Sequence, residues 1–85
     1  MSYVPRLKQE YNNKVIWDGK YIEYYDNGII YLHGNYSFGK KSGNWLEYYP
    51  NRILKSEGDY MDDNEVDKWH YYNDEGELIK TEIYE

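Results

Sequence analysis

Two glutamates stand at equivalent places in a repeating stretch of the chain and could form a catalytic pair. Glu23 and Glu47 are 24 residues apart, which in a sheet places them on strands two apart, at about 9.6 Å. Inverting glycosidases hold their two carboxyl groups ~6.5–9.5 Å apart with a water between them. Any repeat, however, produces such ladders, and a flat sheet offers no pocket that excludes water. A carbohydrate-active hydrolase using this pair is therefore only the alternative function.

Other catalytic groups are sparse. His33 and His70 are the only histidines, they occupy non-equivalent repeat positions, and no serine lies in a Gly-x-Ser-x-Gly turn. The chain has no Cys, which excludes a thiol nucleophile, a disulfide framework and a Cys-ligated zinc site. We therefore predict no catalytic residue, no cofactor and a protein that is not an enzyme.

An acidic run in the second half could attract a cation. It lacks the alternating ligands, the central glycine and the closing glutamate of a calcium-binding loop, so we predict a solvated connector and no metal site. The run comprises Asp59, Asp62, Asp63, Glu65 and Asp67.

The charge is unevenly divided along the chain. The net charge is −6; residues 1–42 hold 6 basic and 4 acidic groups, whereas residues 43–85 hold 4 and 12, a net −8. Such a field repels nucleic acid and anionic membranes and attracts a basic surface of another protein. The longest apolar run covers only residues 29–32, far below the ~20 residues that span a bilayer. We expect a cytoplasmic protein.

The composition favours a β protein built from aromatic rings. Tyr supplies 13 residues and Trp 3, whereas Ile, Leu, Val and Phe together supply only 16 of 85, and Ala is absent. Each aromatic ring can bury ~150–250 Å² while keeping a polar tip in contact with water or a partner.

A 24-residue repeat organises the sequence. We divide the single domain into a capping strand at 1–18 and repeats at 19–42, 43–66 and 67–85. The positions that recur in step, and to which we assign structural roles, are Tyr21, Trp45 and Trp69; Ile30, Leu54 and Leu78; Gly34 and Gly58; and Tyr36 and Tyr60.

Each repeat is predicted to form a β-hairpin. Asn27-Gly28 indicates a type I′ turn, because Asn and Gly accept positive φ. Centring the turn there places Tyr25 opposite Ile30 and Tyr21 opposite Gly34. The same rule pairs Tyr49 with Leu54, Trp45 with Gly58, and Trp69 with Glu82 in the other repeats. We expect the ring opposite each glycine to cover it.

The register sorts side chains onto two faces. It places Tyr21, Tyr25, Ile30, Leu32, Gly34 and Tyr36 on the core face. The wetter face receives Ile22, Tyr24, Ile29, Tyr31 and His33. Arg52 fits the second turn poorly, which predicts a different turn there. Residues 38–43 and 61–65 are predicted to be polar connectors, and a strand with Tyr11, Val15, Ile16 and Trp17 is predicted to cover the edge before Gly19.

The pattern Gly43-x-Trp45-x-x-Tyr48-Tyr49-x-Asn51, followed by Leu54, Gly58 and Tyr60, resembles the bacterial variant of the MORN repeat. The resemblance implies a single-layer antiparallel meander of about three hairpins. It also implies a small protein of antitoxin, immunity or similar inhibitory type. The departures are Arg52, Asp67 and Glu82, each in place of glycine.

We therefore predict a non-enzymatic, protein-binding inhibitor that occludes a partner protein with a basic surface, in competition with nucleic acid for that surface. It would bind neither nucleic acid nor membrane directly. The candidate contact residues are Tyr24, Tyr31, Tyr48 and Tyr72 on the wetter face, together with the acidic run. Self-association through the sheet edges, as in a structural scaffold, is a further alternative.

Overall fold

The chain forms one open antiparallel sheet. The computed structural model describes residues 2–3, 7–11 and 14–85, with side-chain surroundings from residue 17 onward. The strands are β1 (Ser2–Tyr3), β2 (Leu7–Tyr11), β3 (Lys14–Tyr24), β4 (Ile30–Ser37), β5 (Lys40–Tyr48), β6 (Leu54–Met61), β7 (Asn64–Tyr72) and β8 (Leu78–Tyr84). Strands β3 to β8 follow one another as a meander, and β1 and β2 both pair with β3. Helix is absent from these described residues.

The sheet is a single layer. Its principal extents are 45 × 36 × 11 Å, and 11 Å is close to the thickness of one sheet with its side chains. The predicted all-β, single-layer meander of about three hairpins is therefore confirmed. The core is correspondingly small: Trp45 and Trp69 are the hydrophobic side chains that reach full burial among the described residues, with 2% and 5% of their surface exposed.

The predicted edge strand differs in detail. Tyr11 ends β2, whereas residues 15–17 belong to β3, which continues through Gly19 into the first hairpin. Strand β2 pairs with the first part of β3, and β1 with residues Ile22 and Glu23. Positions 1, 4–6 and 12–13 of the predicted cap lie outside the described residues.

The register near the middle of each hairpin is confirmed. Tyr21 pairs with Gly34 and Trp45 with Gly58. Trp69 pairs with Glu82.

The register near each turn is not as predicted, because every hairpin contains a bulge. Tyr24, not Tyr25, pairs with Ile30, and Tyr48, not Tyr49, pairs with Leu54. In the third hairpin Tyr72 pairs with Leu78. One extra residue is left over in the second strand of each hairpin, at Tyr31, Lys55 and Ile79. These bulges recur every 24 residues, so they are part of the repeat.

The hairpin turns are three-residue loops and not the type I′ turns expected at Asn27-Gly28. Tyr25 N–H donates to Ile29 O (2.8 Å), and Gly28 N–H donates to Tyr25 O (2.9 Å). The positive φ falls on Gly28, at 85°, which is the geometry of a type I turn followed by a left-handed residue. Asn27 contributes through its side chain, since its Oδ1 accepts from Ile29 N–H at 3.0 Å.

The second turn has the same geometry as the first, contrary to expectation. Arg52 N–H donates to Tyr49 O (2.9 Å), and Tyr49 N–H donates to Ile53 O (2.8 Å). Arg52 adopts a φ of 76°, where the two equivalent residues are Gly28 and Gly76. The hydrogen bonds thus hold an arginine in a conformation that suits glycine.

Type I′ turns occur instead between the repeats. Phe38 and Gly39 have φ of 50° and 82°, and Asp62 and Asp63 have φ of 49° and 71°, and a type I′ turn requires positive φ at both central residues. The predicted connectors at 38–43 and 61–65 are therefore two-residue loops, and their other residues belong to the adjoining strands: residues 40–43 to β5, Met61 to β6, and residues 64–65 to β7.

The glycines in the second strand of the first two repeats are each covered by a tryptophan, but not by the predicted ring. A Cβ on Gly34 would overlap the ring of Trp45, and a Cβ on Gly58 would overlap the ring of Trp69. Each ring therefore covers the glycine of the preceding repeat. It leans towards the preceding strand and away from the strand with which it pairs in its own hairpin. Trp45 Nε1–H donates to Asn35 O (3.2 Å) and Trp69 Nε1–H donates to Asp59 O (3.1 Å), which fixes both rings in this position.

This arrangement explains Glu82. It stands where Gly34 and Gly58 stand in the first two repeats, but among the described strands β8 pairs with β7 alone, so no tryptophan of a further strand lies over this position. A side chain at this position therefore meets no ring, and glycine is not required.

We expect Gly58→Ala to destabilise the protein by roughly 3 kcal/mol, because the new methyl group displaces the Trp69 ring in a packed position. Urea unfolding followed by tryptophan fluorescence measures the change. Glu82→Ala, at the same repeat position, is the matched control; it places no methyl group beneath a ring and is expected to lose much less stability than Gly58→Ala. A Gly58→Ala variant as stable as the wild type would contradict the packing described.

We expect Arg52→Gly to stabilise the protein by about 0.5–1 kcal/mol, because relief of the left-handed strain exceeds the entropy that glycine loses on folding. Thermal unfolding followed by circular dichroism tests this. The control is Gly28→Ala, where open space surrounds the new Cβ and only the positive φ opposes it, so that this variant loses stability. A loss of stability in Arg52→Gly would show that the arginine side chain stabilises the turn.

Candidate functional site

The sheet has two aromatic faces that differ in how completely their rings contact one another. We call the first the tryptophan face; its rings are Tyr21, Tyr36, Trp45, Tyr60 and Trp69. Trp45 lies between Tyr36 and Tyr60, whose ring edges approach it at centroid distances of 5.3 and 6.0 Å, and Tyr60 also contacts Trp69 at 5.0 Å. The Lys41 ammonium group lies 5.1 Å from the Trp45 ring and 4.9 Å from the Tyr60 ring. These rings form the core.

The opposite face carries a row of tyrosines that repeats with the hairpins. We call it the tyrosine face; its row is Tyr24, Tyr48 and Tyr72, all half-buried. The Tyr48 ring stacks on His33, with centroids 5.8 Å apart and planes inclined by 10°. Burial, and secondarily the charge of Lys20, lowers the pKa of His33, and this favours the neutral ring. Tyr72 Oη–H donates to Glu57 Oε1 at 3.2 Å.

The structure separates Tyr31 from the other three candidate tyrosines. Tyr31 is the bulge residue of β4, and its ring contacts Tyr25 at 5.0 Å. It lines a hollow together with Trp45 and Glu47, and the charge of Glu47 is the main reason why its pKa is raised. Tyr31 thus lies on the tryptophan face. Ile30, which was predicted on the core face, lies instead on the tyrosine face, because it pairs with Tyr24 and lines a hollow there.

That hollow adjoins the tyrosine row and was not anticipated. It has a volume of about 310 Å³, its walls are mainly apolar, and its lining residues are Gly28, Ile29, Ile30, Tyr48 and Arg52. The hollow lies between the first and second hairpin turns, which contribute Gly28 and Arg52 to its lining. Arg52 was recognised only as a poor turn residue; its departure from glycine was the sequence signal that could have drawn attention to this place.

The acidic candidates lie at the other end of the strands. Asp62 and Asp63 form the turn between β6 and β7, and Asp63 Oδ1 accepts a hydrogen bond from Lys41 N–H at 2.7 Å. Asp67 follows on β7 with a φ of 60°. Tyr72 lies five residue steps further along β7, about 17 Å at the usual rise per residue.

The remaining acidic candidates also lie towards this end. Asp59 Oδ1 accepts from Asn44 Nδ2 at 3.2 Å, and Glu65 pairs with Tyr60. The structure therefore places the five acidic candidates towards one end of the strands and the tyrosine row near the other, where Asp74, Glu75 and Glu77 of the third turn also lie.

The two glutamates of the alternative catalytic pair each have their own partners. Glu23 Oε1 accepts from Tyr21 Oη–H at 3.0 Å. Glu47 Oε1 accepts from Ser56 Oγ–H at 3.3 Å, and its Oε2 lies 3.6 Å from Lys55 Nζ. Both carboxylates are thus engaged in contacts on the tryptophan face.

Neither a metal centre nor a membrane span is found in the described part of the chain. No three His, Asp or Glu side chains with defined surroundings converge closely enough to hold a metal ion. No described helix has the length and hydrophobicity needed to cross a bilayer.

Comparison of the chain with protein-family models, with curated proteins and with solved structures finds no match.

We expect the folded state to lose stability as the pH rises from about 10 to 12. Burial, and then the hydrogen bond to Glu23, raises the pKa of Tyr21 from 10.0 to about 12. The folded protein therefore holds this proton more tightly than the unfolded chain. The contribution of this proton to the free energy of unfolding is fully present below pH 10 and is lost as the pH rises from 10 through about 12. Urea midpoints measured between pH 8 and 12 test this, and Tyr21→Phe is expected to flatten the decline. An equal slope in both proteins would contradict the assignment.

Proposed function

We propose that this protein is a non-enzymatic binding module that covers a basic surface of another protein with its tyrosine face. The observation that carries this proposal is the row formed by Tyr24, Tyr48 and Tyr72 on one side of a single-layer sheet. Among the described residues no second layer lies over these rings.

The tyrosine face suits a protein partner. Tyrosine combines a large apolar area with a polar tip and few rotatable bonds, and it is enriched among the residues that dominate protein interfaces. The row is regular because the residues are repeat-equivalent, and the hollow beside Tyr48 and Arg52 could receive one apolar side chain of the partner. Rings on the tryptophan face, in contrast, are already used in the core.

The charge distribution supports a basic partner. A meander preserves chain order in space, so the acidic second half of the sequence is also one side of the sheet. The turn at Asp62 and Asp63 is exposed and forms the tip of this side. Such a field raises the rate of encounter with a cationic surface and competes with nucleic acid for it.

The resemblance to bacterial MORN-type repeats adds a biological setting. It supports an antitoxin, immunity protein or phage-encoded inhibitor that occludes the working surface of an effector protein. The partner would then be a nucleic-acid-binding protein whose basic groove this chain fills.

Variants that remove single rings from opposite faces test the proposed binding face. Affinity capture from the native host identifies a partner, and titration calorimetry with the purified partner then measures affinity. We expect Tyr72→Ala to weaken binding at least tenfold, the loss typical of an interface hot spot. Tyr71→Ala, which removes the neighbouring ring from the other face, is expected to have little effect. The reverse order would place the interface on the tryptophan face, and turnover of a small-molecule substrate would contradict the proposed function.

The charge contribution is tested separately, with Asp62→Asn/Asp63→Gly. Asn-Gly favours a type I′ turn, so this variant removes two charges and keeps the turn conformation, although it also removes the hydrogen bond that Asp63 Oδ1 accepts from Lys41 N–H. We expect the association rate to fall severalfold at low salt and to be unchanged at high salt, where the charges are screened. An unchanged rate at low salt would show that the acidic tip does not steer the partner.

A further inference from the structure

The last strand exposes an apolar edge. β8 has β7 on one side and no described strand on the other. Leu78, Ile79 and Ile83 are 56%, 62% and 68% exposed. An edge strand of seven residues with this much apolar surface is a template for pairing with another strand.

The opposite edge of the sheet is better protected. There, β3 is covered by β2 over Lys14–Asp18 and by β1 at Ile22 and Glu23. Short strands of this kind are a common means of blocking association at an edge. The two ends of the sheet are therefore not equivalent, and β8 is the edge that remains open over its full length.

The third repeat lacks the residues that join the first two repeats to their successors. Tyr25 and Asn27 donate to backbone oxygens of the second repeat, at Tyr48 (2.6 Å) and Pro50 (3.4 Å). In the third repeat Asn73 and Glu75 stand at the corresponding positions, and Glu82 stands where a covering ring needs glycine. Consider a second copy whose β3 docks against β8 as the next repeat would. Its Tyr21, which stands at the position of the covering tryptophans, would then lie over Glu82 instead of a glycine. The edge is thus unsuited to head-to-tail stacking.

The β8 sequence is instead complementary to itself. In an antiparallel pair centred on Thr81, Lys80 lies opposite Glu82 of the second copy, and Glu82 lies opposite Lys80 of the second copy. Both side chains point to the same face, as shown by their contact within one chain, where Lys80 Nζ lies 2.9 Å from Glu82 Oε1. The same register brings Ile83 beside Leu78 and Ile79 of the second copy. Opposite charges therefore flank the Thr81–Thr81 pair at the centre, and apolar residues face each other towards the ends of the strand.

We propose that two copies of this chain pair through β8, antiparallel, about a two-fold axis at Thr81. Such an interface is isologous and closes on itself, so the assembly stops at a dimer. Because the axis is perpendicular to the sheet, both tyrosine faces lie on the same side of one continuous sheet. The dimer is inferred from β8 alone and does not depend on the proposed function.

Charge reversals test this pairing. Lys80→Glu and Glu82→Lys each place like charges opposite one another twice, and each is expected to weaken dimerisation roughly tenfold or more. An equimolar mixture of the two variants is expected to form a heterodimer, since one copy then contributes two glutamates and the other two lysines at the crossing. The double variant Lys80→Glu/Glu82→Lys restores complementarity and is expected to dimerise like the wild type. Sedimentation velocity and multi-angle light scattering measure mass against concentration.

The controls separate the interface from net charge and from folding. Lys40→Glu and Glu75→Lys make the same changes in net charge at exposed sites outside β8 and are expected to remain dimeric. Circular dichroism confirms the fold of every variant. A wild-type protein that stays monomeric up to millimolar concentration would overturn the proposal, and would assign to Lys80 and Glu82 the protection of the edge. Open-ended assembly, or a dimer indifferent to both reversals, would overturn it as well.

Discussion

The contact between a tryptophan ring and a glycine on the neighbouring strand governs this structure. Trp45 and Trp69 each cover the glycine of the preceding repeat, at Gly34 and Gly58, and each indole donates to a backbone oxygen of the strand that it covers. A sheet one layer thick has no second layer to bury large rings. Removal of the Cβ beneath the ring lets the indole lie flat on the backbone, where flanking tyrosines can complete its burial.

These contacts join one repeat to the next, and hydrogen bonds near the turns do the same. Tyr49 Oη–H donates to Tyr72 O (2.8 Å) and Asn51 Nδ2 to Asp74 O (3.0 Å), and the first repeat makes the equivalent bonds. The stability of the sheet is thus concentrated on the tryptophan face and along the turns, as in other repeat proteins, where each unit is stabilised by its neighbours. On the tyrosine face, neighbouring repeats are joined by the stacking of Tyr48 on His33 and by the hydrogen bond from Tyr72 to Glu57.

The sequence predicts the all-β meander and the central register because both follow from repetition. Trp45 and Trp69 are separated by the same 24 residues as Gly34 and Gly58. This common spacing allows only one alignment of the repeats, and the alignment fixes how the strands of each hairpin pair. It does not reveal the bulges, since an extra residue such as Tyr31 looks like any other strand residue until the backbone is placed. One missed bulge reverses the faces of Ile30 and Tyr31, because side chains alternate along a strand. The sequence also does not indicate whether a tryptophan ring leans towards the strand of its own hairpin or towards the preceding repeat.

The proton resonances of the covered glycines test the central contact most directly. An aromatic ring lying flat on a glycine shields its Hα protons, so the account predicts that Gly34 and Gly58 have Hα signals shifted far upfield, with nuclear Overhauser contacts to the Trp45 and Trp69 rings respectively. Gly28 and Gly76, in the turns, are expected to have ordinary shifts. If Gly34 and Gly58 also show ordinary shifts, or if Gly58 contacts Trp45 instead of Trp69, the arrangement that orders the repeats is not the one described.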